Sequence, residues 1–316
     1  MSLAKTGHLL SIGKMENAQH NARPVWGVIW MLSTGLTFVA VTAIVKYIGP
    51  GIPPAESAFL RYLLGAVFLI PMLRPLKAAQ LSRTQIILFG WRGLAHALGV
   101  ILWFFAMTKI PITDVTAMNY MAPIYVSIGA AIFLGEKMAM RRILAIVAAL
   151  AGALIILRPG FREISTGHMA MLLTAVLFAA SYLLAKRMAD QVQPVVVVAM
   201  LSIAVPIALL PFAIADWVTP TLTQLMWLFL VAVFATIGHF TMTFAFRAAP
   251  MTVTQPVTFL QLVWAAILGA LVFDEPVDGW VVLGGLIIMA AVSFIAWRES
   301  ILKRRALSSP AVATTV

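Results

Sequence analysis

The chain has 316 residues, of which 62% are hydrophobic and only 10% are charged. A soluble domain is typically about 45–50% apolar and about 25% charged, so lipid must cover much of this surface. The absence of cysteine excludes disulfide scaffolds, cysteine-bound zinc and thiol catalysis. The net charge of +11 would suit nucleic acid, but the distribution of the charges favours another explanation.

Both ends of the chain are polar. Residues 1–24 lack the apolar run and the small-residue cleavage site of a signal peptide, so we expect a free tail and an uncleaved first span. Residues 299–316 are first basic and then rich in Ser, Ala and Thr, which predicts a second free tail.

Ten windows between the tails are long and apolar enough to span a bilayer, which takes about 20 residues per helix. Glycine and proline separate them, and both residues favour turns. The sequence therefore predicts an all-α membrane protein with ten transmembrane helices. The predicted spans, numbered in chain order, are 25–46, 56–73, 84–108, 112–134, 142–157, 168–186, 194–214, 221–246, 251–273 and 279–297.

Lys and Arg are unevenly distributed between the loops. If the N-terminus is inside, the inner segments hold 16 of them and the outer segments hold four, which are Lys46, Lys109, Arg158 and Arg162. Cytoplasmic loops collect positive charge, so both termini are expected in the cytoplasm, with the chain integral to the inner (plasma) membrane. The net charge is then a topology signal, and we expect no nucleic-acid partner.

The two halves of the chain resemble each other, with eight identities at an offset of 139 or 140 residues. We therefore predict two repeats, 25–158 and 166–298, of five spans each. An odd number of spans inverts the second repeat, and inverted repeats place a solute site between the halves near the bilayer midplane. The identical pairs are Lys46 and Lys186, Pro54 and Pro194, Pro71 and Pro211, Phe105 and Phe244, Ala106 and Ala245, Pro111 and Pro250, Thr113 and Thr252, and Glu136 and Glu275.

Several of these residues belong to a pattern that resembles the EamA-type domain of the drug/metabolite transporter superfamily. The pattern comprises Phe104-Phe105-Ala106, Pro111, Ala122-Pro123, Gly135-Glu136 and Gly152, then Phe244-Ala245-Phe246, Pro250, Glu275 and Gly284, together with Arg61-Tyr62. The resemblance implies a ten-helix secondary transporter with a central cavity; its members include exporters of amino acids and drugs and importers of riboflavin or S-adenosylmethionine. The second repeat departs from the pattern at Asp274 and at Leu201-Ser202.

Span 3 carries one polar stripe. Arg92, His96, Gly99 and Trp103 follow at i, i+4, i+7 and i+11, which places them on one helix face. The corresponding stripe of span 8 keeps only the glycine, as Gly238. Arg92 lies about 12 Å from the inner edge at 1.5 Å per residue. It faces the cavity and the solute, or it extends towards the interface.

Two histidines lie well inside spans, on corresponding faces of the two repeats: His96 in span 3 and His239 in span 8. An imidazole titrates with a reference pKa of about 6.5, so both are candidates for proton coupling. The alternative for each is a neutral side chain bonded to another helix.

Spans 4 and 9 combine polar groups with internal prolines, and broken helices in both halves of a transporter are typical of the binding site. Interhelical hydrogen bonding is the alternative for their amides. The predicted substrate-binding residues are Arg92, His96, Trp103, Asn119, Tyr120, His239, Gln255, Phe259 and Gln261. Structural or gating roles are predicted for Arg61, Pro123, Glu136, Pro256 and Glu275.

Small residues in spans 5 and 10 favour close helix packing, as a scaffold or as a homodimer face. Asp114 is interpreted as a first-turn acid of span 4.

Together these features predict a secondary transporter that moves a small organic metabolite by alternating access. The solute would be aromatic or amphipathic: riboflavin-like, S-adenosylmethionine-like or amino-acid-like. A membrane-embedded enzyme and a passive channel are the alternatives, but the sequence has neither an H-E-x-x-H nor a G-x-S-x-G motif. It has no GxxxxGK[ST] loop for ATP either. No metal or cofactor is expected, and the expected partners are the solute and membrane lipid.

Overall fold

A computed structural model describes residues 24–134, 139–161, 163–189, 191–248, 254, 257–258 and 260–308. The regular elements in these ranges are helices, and nine of them are long and apolar enough to cross a membrane. The described helix of span 9, Leu260–Phe273, is shorter than the other nine spans, and the predicted span 251–273 begins at residues that the structure does not describe. The helices are Pro24–Ile48 (span 1), Pro54–Leu64, the 3₁₀ segment Gly65–Met72 and Leu73–Ala78 (span 2), Arg83–Met107 (span 3), Ile112–Asn119 and Ala122–Leu134 (span 4), Met140–Leu157 (span 5), Thr166–Ala189 (span 6), Pro194–Ala215 (span 7), Leu222–Ala248 (span 8), Leu260–Phe273 (span 9) and Gly279–Ser308 (span 10).

Proline explains the interruptions of two spans. The 3₁₀ segment of span 2 contains Pro71, which has no N–H for an α-helical bond. In span 4, Pro123 cannot bond the carbonyl of Asn119, and the chain tightens just before it, where the N–H of Met121 donates to the carbonyl of Met118 at 3.0 Å. Span 4 is therefore built from two helices. The last helix continues past residue 297, where span 10 was predicted to end, through residues rich in good helix formers.

The repeats are inverted. The segments that follow spans 1, 3, 5, 7 and 9 lie at the same end of the bundle, and we call this end, which includes Lys46, the Lys46 end. Glu275, between spans 9 and 10, binds Lys46 at the end of span 1 and the N–H of Ile112 at the start of span 4. At the opposite end, Gln85 at the start of span 3 donates to Gln191 between spans 6 and 7 at 3.2 Å. The first junction of each repeat therefore lies at a different end of the bundle.

Helices of one repeat pack mainly against helices of the other. Span 1 packs on span 8 and span 6 on span 3, which are corresponding pairs, while span 2 packs on span 7 and span 5 on span 10. Spans 5 and 10 touch through glycine: a Cβ at Gly152 would lie 2.8 Å from the carbonyl oxygen of Gly284. The chain is thus an all-α membrane protein of ten transmembrane helices in two inverted five-helix repeats.

Candidate functional site

Arg92 in the stripe of span 3 is buried between helices. Its side chain is only 6% exposed, and Nη1 donates to the carbonyl oxygen of Val197 on span 7 at 2.7 Å. Its Nε is buried without a hydrogen-bond partner among the described residues. The guanidinium therefore ends inside the bundle with donor capacity left over, and its contact with a solute stays a prediction.

His96 lies one turn further along the stripe and connects three spans. Its Nε2 lies 3.1 Å from the hydroxyl of Tyr62 on span 2. Its Nδ1 lies 3.4 Å from the hydroxyl of Ser181 on span 6. Because a hydroxyl can donate or accept, both contacts are compatible with either tautomer of the imidazole.

The aromatic ring of Phe178 on span 6 packs along the stripe. It lies 5.0 Å from the ring of His96, 6.3 Å from that of Trp103 and 6.2 Å from that of Tyr182. A Cβ at Gly99 would come within 2.7 Å of Phe178, so the glycine of the stripe permits this approach. The result is an aromatic wall, formed by Trp103, Phe178 and Tyr182, beside Arg92 and His96.

Accessible surface adjoins this wall. Tyr182 is 45% exposed and interacts electrostatically with Arg92. His239 on span 8 is also exposed, and electrostatic interactions connect it with His96 and Arg61. The structure therefore brings the two predicted histidines close enough to interact electrostatically, beside side chains that the rest of the protein leaves exposed.

Arg61 is tied to the same group of residues. Its side chain is 8% exposed, and the guanidinium lies 4.4 Å from the ring centre of Tyr62, whose hydroxyl contacts His96. Its Nε is also buried without a partner in the described part of the chain. The charge of Arg61 thus lies inside the bundle, although its structural or gating role stays a prediction.

Spans 4 and 9 meet beside the break in span 4. Tyr120, at this break, donates from its hydroxyl to the carbonyl oxygen of Thr258 at 2.9 Å. Asn119 is half-buried, and Pro123 lies in the first turn of the second helix. Gln261 is half-buried against Gly35 of span 1. Four further predicted residues, Gln255, Pro256, Phe259 and Glu136, lie outside the described residues.

Glu275 joins the two repeats at the Lys46 end. Its carboxylate lies 2.5 Å from Nζ of Lys46 and accepts the N–H of Ile112 at 2.8 Å. Lys46 also donates to the carbonyl oxygen of Ile110 at 2.8 Å. A carboxylate beside the first N–H groups of a helix is favourable, so Glu275 fixes the start of span 4 from the opposite repeat.

Three further polar contacts cross between the repeats at this end. Arg158 forms an ion pair with Asp278. Glu56, which is fully buried, accepts the N–H of Val218 at 2.9 Å. Asp114 bonds His168 at 2.9 Å. The interpretation of Asp114 as a first-turn acid did not include its hydrogen bond to His168. Sequence spacing alone does not show that the starts of spans 4 and 6 meet.

An apolar groove lies elsewhere, between spans 9 and 10. It encloses about 460 Å³, and its lining is entirely apolar, including Leu262, Val263 and Ile267. Such a surface suits an acyl chain more than a polar solute. In the described part of the chain, no three His, Asp or Glu side chains are grouped as metal ligands would be.

Inverted five-helix repeats with polar and aromatic side chains between them define a secondary membrane transporter. A family model for the EamA-like transporter family matches residues 25–158 and 165–297. The chain belongs to this family.

Individual relatives agree with this assignment. The riboflavin transporter of Vibrio cholerae is 31% identical and covers 89% of this chain and 96% of its own length. The S-adenosylmethionine uptake transporter of Rickettsia bellii is 26% identical and covers 86% of this chain and 94% of its own length. A solved crystal structure, 17% identical, covers 90% of this chain and 99% of its own with a TM-score of 0.57, which supports the fold alone. The protein is an integral membrane transporter and not an enzyme.

Proposed function

We propose that this transporter moves a small planar, riboflavin-like metabolite across the inner membrane by alternating access. The observation that carries the proposal is the aromatic wall of span 3 and span 6 beside the buried Arg92 and His96. Offset or edge-on packing of aromatic rings contributes about 0.5–1.5 kcal/mol per pair beyond the buried area. A planar heteroaromatic solute therefore fits the wall better than an aliphatic one.

Unsatisfied donors support the same class of solute. Nε of Arg92 and Nε1 of Trp103 are both buried without an acceptor among the described residues. An unpaired buried donor costs about 1–3 kcal/mol, which a carbonyl-rich ring system would offset. Arg61 adds a second buried positive charge. Two guanidinium groups repel a cation, so the site favours an uncharged or anionic solute over a sulfonium such as S-adenosylmethionine.

Uptake of labelled riboflavin into proteoliposomes tests the proposal. We expect saturable uptake, competed by other flavins but not by S-adenosylmethionine or amino acids. Trp103→Leu should weaken uptake several-fold. Trp91→Leu is the matched control, because Trp91 is on the same helix but 61% exposed and outside the stripe. Flavin-independent uptake of an amino acid or of S-adenosylmethionine would contradict the substrate class.

We further propose that both tails, 1–24 and 299–316, are cytoplasmic and that the Lys46 end faces outside, on the strength of the Lys and Arg distribution. A reporter that is active only in the cytoplasm should give signal when fused after Arg305 and none when inserted at 216–220. The reverse result would contradict this orientation.

Alternating access requires that each end of the site can close. The contacts of Glu275 at the Lys46 end support a gating role for Glu275, and the buried position of Arg61 beside Tyr62 supports one for Arg61. The break before Pro123 would be a flexible point. Glu136 is assigned the same role as the repeat partner of Glu275, and Pro256 as the internal proline of span 9. Proton coupling is proposed for His96 and His239, since an imidazole changes charge near neutral pH.

A homodimer through spans 5 and 10 remains a proposal with one geometric condition. The small residues Gly152 and Gly284 already pack against each other within the chain. A second copy would therefore contact the outward faces of these helices, where Leu144 and Leu286 are exposed, or membrane lipid would cover them.

A further inference from the structure

Spans 1 and 8 form a helix pair equivalent to the pair of spans 6 and 3, which carries the aromatic wall. The sequences agree closely, since residues 31–40 and 171–180 are identical at five of ten positions, 140 residues apart. The ring of Phe178 in the aromatic wall therefore has a repeat partner, Phe38, on span 1. The five identical pairs are Met31 and Met171, Leu32 and Leu172, Thr34 and Thr174, Phe38 and Phe178, and Ala40 and Ala180.

Glycine lets both phenylalanine rings approach the neighbouring helix. A Cβ at Gly99 of span 3 would come within 2.7 Å of Phe178. At Gly238 of span 8, the repeat partner of Gly99, a Cβ would lie 3.2 Å from the ring of Phe38. The two rings are therefore placed in the same way, each by the glycine of the opposite repeat.

A histidine lies beside each of these rings. The ring of His96 is 5.0 Å from that of Phe178, and the ring of His239 is 5.3 Å from that of Phe38. The second contact is edge-to-face, with an interplanar angle of 82°, which is a favourable arrangement for aromatic rings. The imidazole of His239 thus extends the ring of Phe38 into a continuous aromatic surface, which we call the second wall.

Both helix pairs leave part of their aromatic surface accessible. In the aromatic wall, Tyr182 is 45% exposed and Trp103 is half-buried. In the second wall, His239 is exposed and Phe38 is half-buried. Each pair of helices can therefore contact a solute through ring surfaces that the protein does not cover.

Contacts between spans 1 and 8 hold the second wall in place. One turn before Phe38, the hydroxyl of Thr34 lies 2.8 Å from that of Thr241. Two turns before Phe38, the ring of Trp30 lies 5.5 Å from that of Phe244. The second wall is therefore fixed before a solute arrives, which lowers the entropic cost of binding.

The two walls belong to one site between the repeats. Inverted repeats are related by a pseudo-two-fold axis in the membrane plane, and the solute site lies where the repeats meet. His96 interacts electrostatically with His239, and Arg61 interacts with both imidazoles. Because Coulomb energy falls with distance, these interactions place the histidines of the two helix pairs near each other.

We propose that a planar solute ring is bound between the two walls, with one face towards Trp103 and Tyr182 and the other towards Phe38 and His239. The inference rests on the proposed riboflavin-like solute, and it adds Phe38 as a solute contact. Each wall combines one helix from each repeat, so a bound ring contacts four helices. A flat ring can contact aromatic surface on both faces, whereas a puckered or branched ring of similar polarity cannot.

Fluorescence of riboflavin bound to the purified protein tests the second wall, because an indole stacked on a flavin quenches its emission. Trp103→Phe should reduce the quenching, and adding Phe38→Trp to this variant should restore it from the other face. Leu36→Trp in the same background is the matched control. Leu36 lies two residues from Phe38, on the opposite face of span 1, and is 48% exposed. This control should leave the emission unchanged.

The affinity for riboflavin provides a second measurement at Phe38. Phe38→Leu should weaken binding by about 3–10-fold, because one aromatic contact is lost. Phe38→Tyr keeps the ring and should bind with nearly the original affinity. Leu36→Ala should leave the affinity unchanged.

Paired cysteines test the arrangement of the walls without a solute, since the chain has no cysteine of its own. A short bismaleimide should join Phe38→Cys to Trp103→Cys within one chain, and bound riboflavin should slow the reaction. The control pair, Leu36→Cys with Trp103→Cys, should not be joined.

The results separate this inference from the proposed solute. If the protein binds riboflavin but Phe38→Trp restores no quenching, or Phe38→Leu binds with unchanged affinity, the second wall is overturned and the solute stands. Absence of the Phe38–Trp103 cross-link would also overturn it, whatever the solute. If the unmodified protein does not bind riboflavin, the proposed solute is contradicted, and cross-linking alone decides whether the walls face each other.

Discussion

Replacing Glu275 with Gln should lower the free energy of unfolding by about 2–4 kcal/mol. Its carboxylate binds the ammonium of Lys46 at 2.5 Å and accepts the N–H of Ile112 at 2.8 Å. The side chain of Lys46 is 19% exposed and that of Glu275 is 10% exposed. Removing one partner of a fully buried ion pair costs about 3–5 kcal/mol, and residual exposure reduces that figure. The glutamine oxygen can still accept from Ile112. Glu275→Ala loses this contact too and should cost about 0.5–2 kcal/mol more.

The assay is denaturant unfolding in detergent micelles, applied to Glu275→Gln, Lys46→Met and the double variant. Because the two groups touch, the double variant should lose less stability than the sum of the single variants, with a coupling of about 1–3 kcal/mol. Lys109→Met is the matched control. Lys109 lies at the same end and contacts the ring of Phe105 at 5.7 Å, so its loss should cost about 1 kcal/mol or less. Strictly additive single effects would refute the view that this ion pair holds the repeats together.

Further substitutions test the packing of spans 5 and 10, the contact between Arg92 and the solute, and proton coupling by the two histidines. Gly152→Ala should destabilise the protein in the same unfolding assay by about 1–3 kcal/mol, because its Cβ would lie 2.8 Å from a backbone carbonyl, whereas Gly90→Ala, with open space around it, should be close to neutral. Arg92→Gln should abolish or alter transport while expression stays near normal; normal transport would exclude a solute contact. If either histidine couples transport to protons, His96→Gln or His239→Gln should flatten the pH dependence of the initial rate, and an unchanged profile and gradient dependence in both variants would exclude them.

The general architecture follows from the sequence because lipid restricts what a chain can do. Backbone groups exposed to lipid must be bonded within the spanning segment itself, so long apolar windows predict helices. The offset between the two sets of identities then indicates inversion, because each set holds five spans. The break of span 4 is likewise foreseen from Pro123, whose missing N–H acts locally.

Contacts between the repeats could not be predicted, because they depend on how the two halves rotate against each other. Helical spacing placed Arg92 and His96 on one face but not the partners they meet, Val197 and Tyr62. The pairing of Asp114 with His168 was missed for the same reason. Its only trace in the sequence is a histidine near the start of a span, three residues after Ser165.

The preference of each helix for the opposite repeat has a consequence for synthesis of the protein. Span 1 ends at Ile48, but span 8, on which it packs, ends at Ala248. At 5–20 residues per second, a ribosome needs about 10–40 s to make the intervening chain. During that time span 1 lacks the helix on which it packs most, whereas spans 6 and 7, on which spans 3 and 2 pack, are complete earlier, at Ala189 and Ala215. We therefore expect the insertion of span 1 to precede its packing on span 8, with lipid covering that face of the helix in the interval.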